Sequence, residues 1–109
     1  MGKFKDVNEL VNALKPDYPV YCIRPESIKK STKFFKDKFP GKTLYAVKTN
    51  PNEKVLRQII SNGIIDFDVA SINEIKLIKK LKPDANLYFM HTLRAYIKTN
   101  SKFFSMFLT

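Results

Sequence analysis

The sequence is short of several residue types, and each shortage removes a class of protein. One cysteine, Cys22, cannot form an internal disulfide, and with a single histidine beside it a Cys/His metal site has too few ligands. Only three glycines occur, Gly2, Gly41 and Gly63. None belongs to a glycine-rich phosphate loop, which excludes the dinucleotide and P-loop motifs. No stretch approaches the ~20 apolar residues of a membrane-spanning helix. The N-terminus has no apolar signal core, and Met1-Gly2 is followed by Asp6 where myristoylation wants Ser or Thr. The expectation is a cytoplasmic protein with a reduced thiol, buried in the apolar run Pro19–Ile23.

Acidic residues are also scarce: 10 stand against 20 basic ones, giving a net charge of +10. The lysines are scattered through almost every segment and alternate with apolar positions. Only three residues are arginine, the type favoured for bidentate phosphate and base contacts. A solvated lysine-rich surface is therefore favoured over a nucleic-acid face. With 44% hydrophobic and 13% aromatic residues the chain is too apolar for a disordered protein. Its 109 residues suit one domain, well below the roughly 250 of an intact (β/α)8 barrel.

The hydrophobic pattern alternates between two periods. Val7, Leu10, Val11 and Leu14 form a helical stripe ended by Pro16. Pro19–Ile23 reads as a short strand. Pro25 suits the first turn of a helix carrying Ile28, Phe34, Phe35 and Phe39, stopped by Pro40-Gly41. Thr43–Lys48 is a strand, and Asn50 with Glu53 resembles a capping box for a helix bearing Val55, Leu56, Ile59 and Ile60 and closed by Gly63. Asp66–Ala70 is the next strand. Ser71 and Glu74 form a second capping box before Ile75, Ile78 and Leu81. Leu87–His91 is a third strand, a short helix could begin across Tyr96–Asn100, and Phe103–Leu108 resembles a fourth strand. Two βαβ crossovers sharing a strand predict a parallel α/β sheet.

Alternation along each strand sorts the chemistry. Leu44, Ala46 and Lys48 share a face, as do Asp66, Asp68 and Ala70. Leu87, Phe89 and His91 form the matching set on the third strand. The opposite faces, Tyr45, Val47, Phe67, Val69, Tyr88 and Met90, would pack under helices. Lys48, Asp68 and His91, 20 and 23 residues apart, would then stand at successive C-terminal strand ends, where α/β barrels keep their active sites. A lysine desolvated in such a place has a lowered pKa and a nucleophilic amine. Two bland alternatives stand beside this: a buried Lys48–Asp68 ion pair, and a structural role for His91.

These residues carry a resemblance. Tyr45-Ala46-Val47-Lys48-Thr49-Asn50 resembles the Y-A-V-K-x-N signature of the pyridoxal-phosphate-dependent ornithine/diaminopimelate/arginine decarboxylases, enzymes of the alanine-racemase-like barrel type. Phe67-Asp68-Val69-Ala70-Ser71 with Glu74 resembles their F-D-x-A-S-x-x-E motif. Tyr88–His91 resembles the strand before their H-P/T-x-K turn, with Arg94 in place of the lysine. The resemblance implies the first three to four βα units of an incomplete (β/α)8 barrel. Residues 1–24 would be a lead-in helix and strand, and 25–109 a truncated pyridoxal-phosphate-binding barrel.

It further implies that Lys48 holds pyridoxal 5'-phosphate as a Schiff base. Ala46 would lie beneath the cofactor, Asp68 beside it, and His91 at the third strand; no metal is implied. The implied function is that of the N-terminal fragment of a basic amino-acid decarboxylase, ornithine first, giving putrescine for polyamine biosynthesis. A small amino acid would be the substrate, the intact family suggests a homodimer, and no membrane partner is expected. The alternative is a catalytically inactive relative that binds a full-length decarboxylase. A small basic nucleic-acid binder is a third, disfavoured possibility. Three or four strands of eight leave sheet edges open, so a marginal, aggregation-prone chain is expected.

Overall fold

The computed structural model describes residues 2–89 and 106–107 of the chain. The amphipathic N-terminal stripe forms helix α1, Val7–Leu14, whose first turn is capped by Asp6 accepting from the Glu9 N–H at 2.9 Å. The stripe is laid down but not covered: no residue of α1 is buried, and Val11 is 47% exposed. Residues 19–24 then run without regular structure. The expected strand at Pro19–Ile23 is absent, and Cys22 is exposed, not buried. The run has no strand pairing to complete it, and only Ile23 turns onto the core.

Helix α2, Pro25–Lys38, begins with proline in its first turn, where a missing N–H costs nothing. It rests Ile28 and Phe35 on the core and buries Thr32, while Phe34 stands 60% exposed, edge-on to Phe35 at 5.7 Å. Strand β1, Thr43–Ala46, stops two residues short of the expected end and passes into a 3₁₀ turn, Val47–Thr49. Helix α3, Glu53–Ser61, follows, with Asn52 as its cap, accepting from the Lys54 N–H at 2.9 Å. Asn50 was the expected cap. It instead accepts from the Asn52 N–H at 3.1 Å and so shapes the turn before the helix. Gly63, at φ +91°, closes α3 in a conformation that a side chain would strain.

Strand β2, Asp66–Asp68, leads to α4, Ile72–Leu81, through the expected Ser71/Glu74 box. The Glu74 N–H donates to Ser71 Oγ at 3.3 Å, and Glu74 Oε2 accepts from the Ala70 N–H at 2.8 Å. Strand β3, Asn86–Tyr88, and the two-residue β4, Met106–Phe107, complete a parallel sheet in the order β3-β2-β1-β4. Tyr45 pairs with Phe67 and Ala46 with Asp68; Phe67 pairs with Leu87 and Asp68 with Tyr88. This is an α/β fold of alternating βα units on an open, unclosed sheet, consistent with part of an alanine-racemase-like barrel.

One face of the sheet carries the core. Tyr45, Val47, Phe67 and Val69 pack with Val55, Leu56 and Ile59 of α3 and Ile78 of α4, as alternation predicts. On β3 the phase is the reverse of the expected one. Leu87, in register with Phe67, lies against the helix-side core, and Tyr88 shares the face of Asp66 and Asp68. Both faces of the run Leu87–Met90 are apolar, so alternation alone could not set its phase. Among the described residues no helix is long and apolar enough to cross a membrane. The expected helix at Tyr96–Asn100 lies outside those residues.

Candidate active site

The register of β1 and β2 brings Ala46 and Asp68 side by side at their C-terminal ends, both buried, with Ala46 only 1% exposed. Lys48 lies two residues beyond Ala46, in the middle of the 3₁₀ turn, and is exposed. The expected desolvation of Lys48 is therefore not found. The strand pairing ends at Ala46, and the turn lifts the next residues out of the sheet. Only Val47 of the turn folds back into the core. Lys48 is thus not buried, as a buried Lys48–Asp68 ion pair would require. His91 and Arg94 lie outside the described residues.

The turn that carries Lys48 is closely hydrogen-bonded. Thr49 Oγ1 donates to the Ala46 carbonyl at 2.7 Å, and the Tyr45 hydroxyl donates to the Asn50 carbonyl at 3.1 Å. Asn50 Nδ2 donates to the hydroxyl of Tyr21. Tyr45 is buried, and loss of hydration raises its hydroxyl pKa above the usual tyrosine value; the Thr49 bond opposes that shift. The hydroxyl therefore keeps its proton, and its donor role, throughout the neutral range.

A second polar group on the same sheet face was not foreseen from the sequence. Asp66 accepts from Asn86 Nδ2 at 3.0 Å and from the Tyr88 hydroxyl at 3.1 Å. Lys42 Nζ donates to the Tyr88 hydroxyl at 2.8 Å, lies 3.8 Å from Asp66 and sits 5.2 Å from the Tyr88 ring centroid. The Tyr88 hydrogen bond, with the Asp66 charge behind it, raises the Lys42 pKa. Asp66 is thus a satisfied acceptor in a structural group. The signal that could have revealed it was the Asp66/Asp68 spacing, but the misphased third strand placed Tyr88 on the wrong side.

The elements define a class: an α/β domain of parallel βα units, with exposed Lys48 in the turn that follows a central strand and the paired Ala46 and Asp68 at the strand ends. Residues 25–96 match the family described as pyridoxal-dependent decarboxylase, pyridoxal binding domain. With 72 of its 109 residues in that match, the protein belongs to this family, whose domain is the pyridoxal-binding N-terminal part shared by ornithine, arginine and diaminopimelate decarboxylases. No curated protein and no solved structure matches the chain.

Proposed function

We propose that the chain supplies the lysine-bearing part of a pyridoxal-phosphate-dependent decarboxylase of basic amino acids, ornithine first among them. One observation carries the reading. Within the matched segment, Lys48 is an exposed amine at the end of β1, directly beyond the paired Ala46 and Asp68. That donor set suits the aldehyde end of the cofactor: a primary amine to bond it, a methyl group leaving room beneath, and a carboxylate to balance positive charge.

Pyridoxal phosphate, when bound, supplies the electron sink that makes loss of carbon dioxide from an amino acid feasible. The residues of this chain do the remaining work. Lys48 holds the cofactor covalently through Nζ once that amine has lost its proton. Ala46 keeps the floor shallow, and Asp68, fixed by the β1–β2 register, holds negative charge beside it. His91 is proposed as a further cofactor contact. Residues 1–24 are proposed as a lead-in and 25–109 as the partial barrel.

Trapping tests this. Incubation with pyridoxal phosphate, borohydride reduction and peptide mass mapping should place the pyridoxyl adduct on Lys48 ahead of the other lysines. Lys48→Ala should leave only the diffuse background. Equal labelling of Lys48 and the surface lysines would remove the reading. The unclosed sheet favours a second reading, a partner of a full-length decarboxylase, which predicts co-purification of the two chains.

A further inference from the structure

Asn50, two residues beyond Lys48, is hydrogen-bonded to a residue from outside the matched segment. Tyr21 belongs to the irregular stretch 19–24, before the match begins at residue 25. It is 67% exposed and buries little, yet its hydroxyl is engaged by the side-chain amide of Asn50, 29 residues away. Asn50 makes three hydrogen bonds around the turn. Its carbonyl accepts from Tyr45, its Oδ1 accepts from the Asn52 N–H, and its Nδ2 donates to Tyr21. The same stretch walls a cavity of about 220 Å³ together with Ser27, Ile28, Asn50 and Val55.

A lysine on a long flexible stem loses side-chain freedom when held in one place. Lys48 is exposed in the middle of the turn, so its stem leaves from the backbone of residues 47–50. Tyr45 and Thr49 fix that backbone from the sheet side. Among the described residues, Tyr21 ties it to the stretch before α2, and does so through Asn50.

We infer that Tyr21 and Asn50 are positioning residues for Lys48, so that the stretch 19–24 is a working part of the lysine site. The inference rests on Lys48 as the cofactor lysine. It implies that the reactive turn is clamped between a buried tyrosine and an exposed one. A lost hydrogen bond of ~1 kcal/mol corresponds to about a fivefold change.

The test is the rate at which pyridoxal phosphate is trapped on Lys48 by borohydride, divided by the rate at Lys30 of the same molecule. Tyr21→Phe removes only an exposed hydroxyl, and its circular dichroism and melting should match the unaltered protein. Its Lys48/Lys30 ratio should fall about fivefold. Asn50→Ala should lower the ratio at least as far. Asn50→Asp, able to accept from the Tyr21 hydroxyl, should restore much of it in the Tyr21 background and none in the Tyr21→Phe background. An unchanged ratio in Tyr21→Phe and Asn50→Ala, with Lys48 still preferred, would overturn the positioning role alone. No preference for Lys48 in the unaltered protein would overturn both this inference and the proposed function.

Discussion

Phe67 and Phe34 are the same residue type in opposite circumstances, which makes them a sharp test of where the stability of the domain resides. Phe67 is 0% exposed at the centre of β2, and its ring meets Tyr45 edge-on at 6.4 Å. Truncation to alanine removes the whole ring from a closed core. Such changes cost ~3–5 kcal/mol, and the lost aromatic pair places Phe67→Ala toward the upper end. A chain of this length is stabilised by ~5–15 kcal/mol in total, so the substitution removes a third or more of what holds it folded. With a urea dependence of ~1.5 kcal/mol/M, the midpoint should fall by ~2–3 M. Phe34→Ala on the exposed side of α2 should cost no more than ~0.5 kcal/mol. Urea unfolding followed by far-ultraviolet circular dichroism reads both, since the chain has no tryptophan to report by fluorescence. Coincident midpoints for the two variants would refute a core centred on Phe67.

Three further outcomes follow. The raised pKa of Lys42 stabilises the fold at pH values below the ordinary lysine range and loses that contribution as pH climbs through the folded-state value; Lys42→Met should therefore flatten the alkaline limb of a stability–pH curve measured by urea midpoints. The Glu53 carboxyl is held below its usual pKa by the Arg57 hydrogen bond and then by Lys80, so its contribution is complete above the ordinary carboxylate range and lost as pH falls through the depressed value. Glu53→Gln should accordingly reduce the loss of stability on acidification, and an acid limb identical to that of the unaltered protein would count against the pairing. Ser71→Ala removes the cap of α4 and should cost about 1 kcal/mol in the same urea assay.

Much of this architecture was legible because its signals are local. Pro25, the Ser71/Glu74 box and Gly63 mark helix boundaries through backbone chemistry that neighbours along the chain decide, and all three are found in those roles. The strands were less legible. Val47 and Val69 are buried like strand residues but lie just beyond the ends of β1 and β2, because an apolar run reports burial and not where a strand stops. The run at Pro19–Ile23 makes no strand at all. Spacing along the strands singled out Lys48 and Asp68 as candidates, but spacing carries no information on solvent, and the exposure of Lys48 goes with a 3₁₀ turn that alternation cannot foresee. The Tyr21–Asn50 contact had no sequence signal at all. A single hydrogen bond between residues 29 apart leaves no periodic trace.

The position of β4 beside β1 has a consequence for the order in which the fold assembles. Tyr45 and Phe67 are 22 residues apart, as Thr43 and Met106 are 63. Closing the longer loop costs about 1 kcal/mol more in chain entropy, for two paired positions among the described residues, no more than β1 and β2 share. The β1–β2–β3 unit, built from short loops, should form first and acquire its hydrogen-exchange protection together. The β4 pairing should arrive last and open first. Lys48 follows the strand shared by both events, so its turn is completed with the early unit and does not wait for the late one.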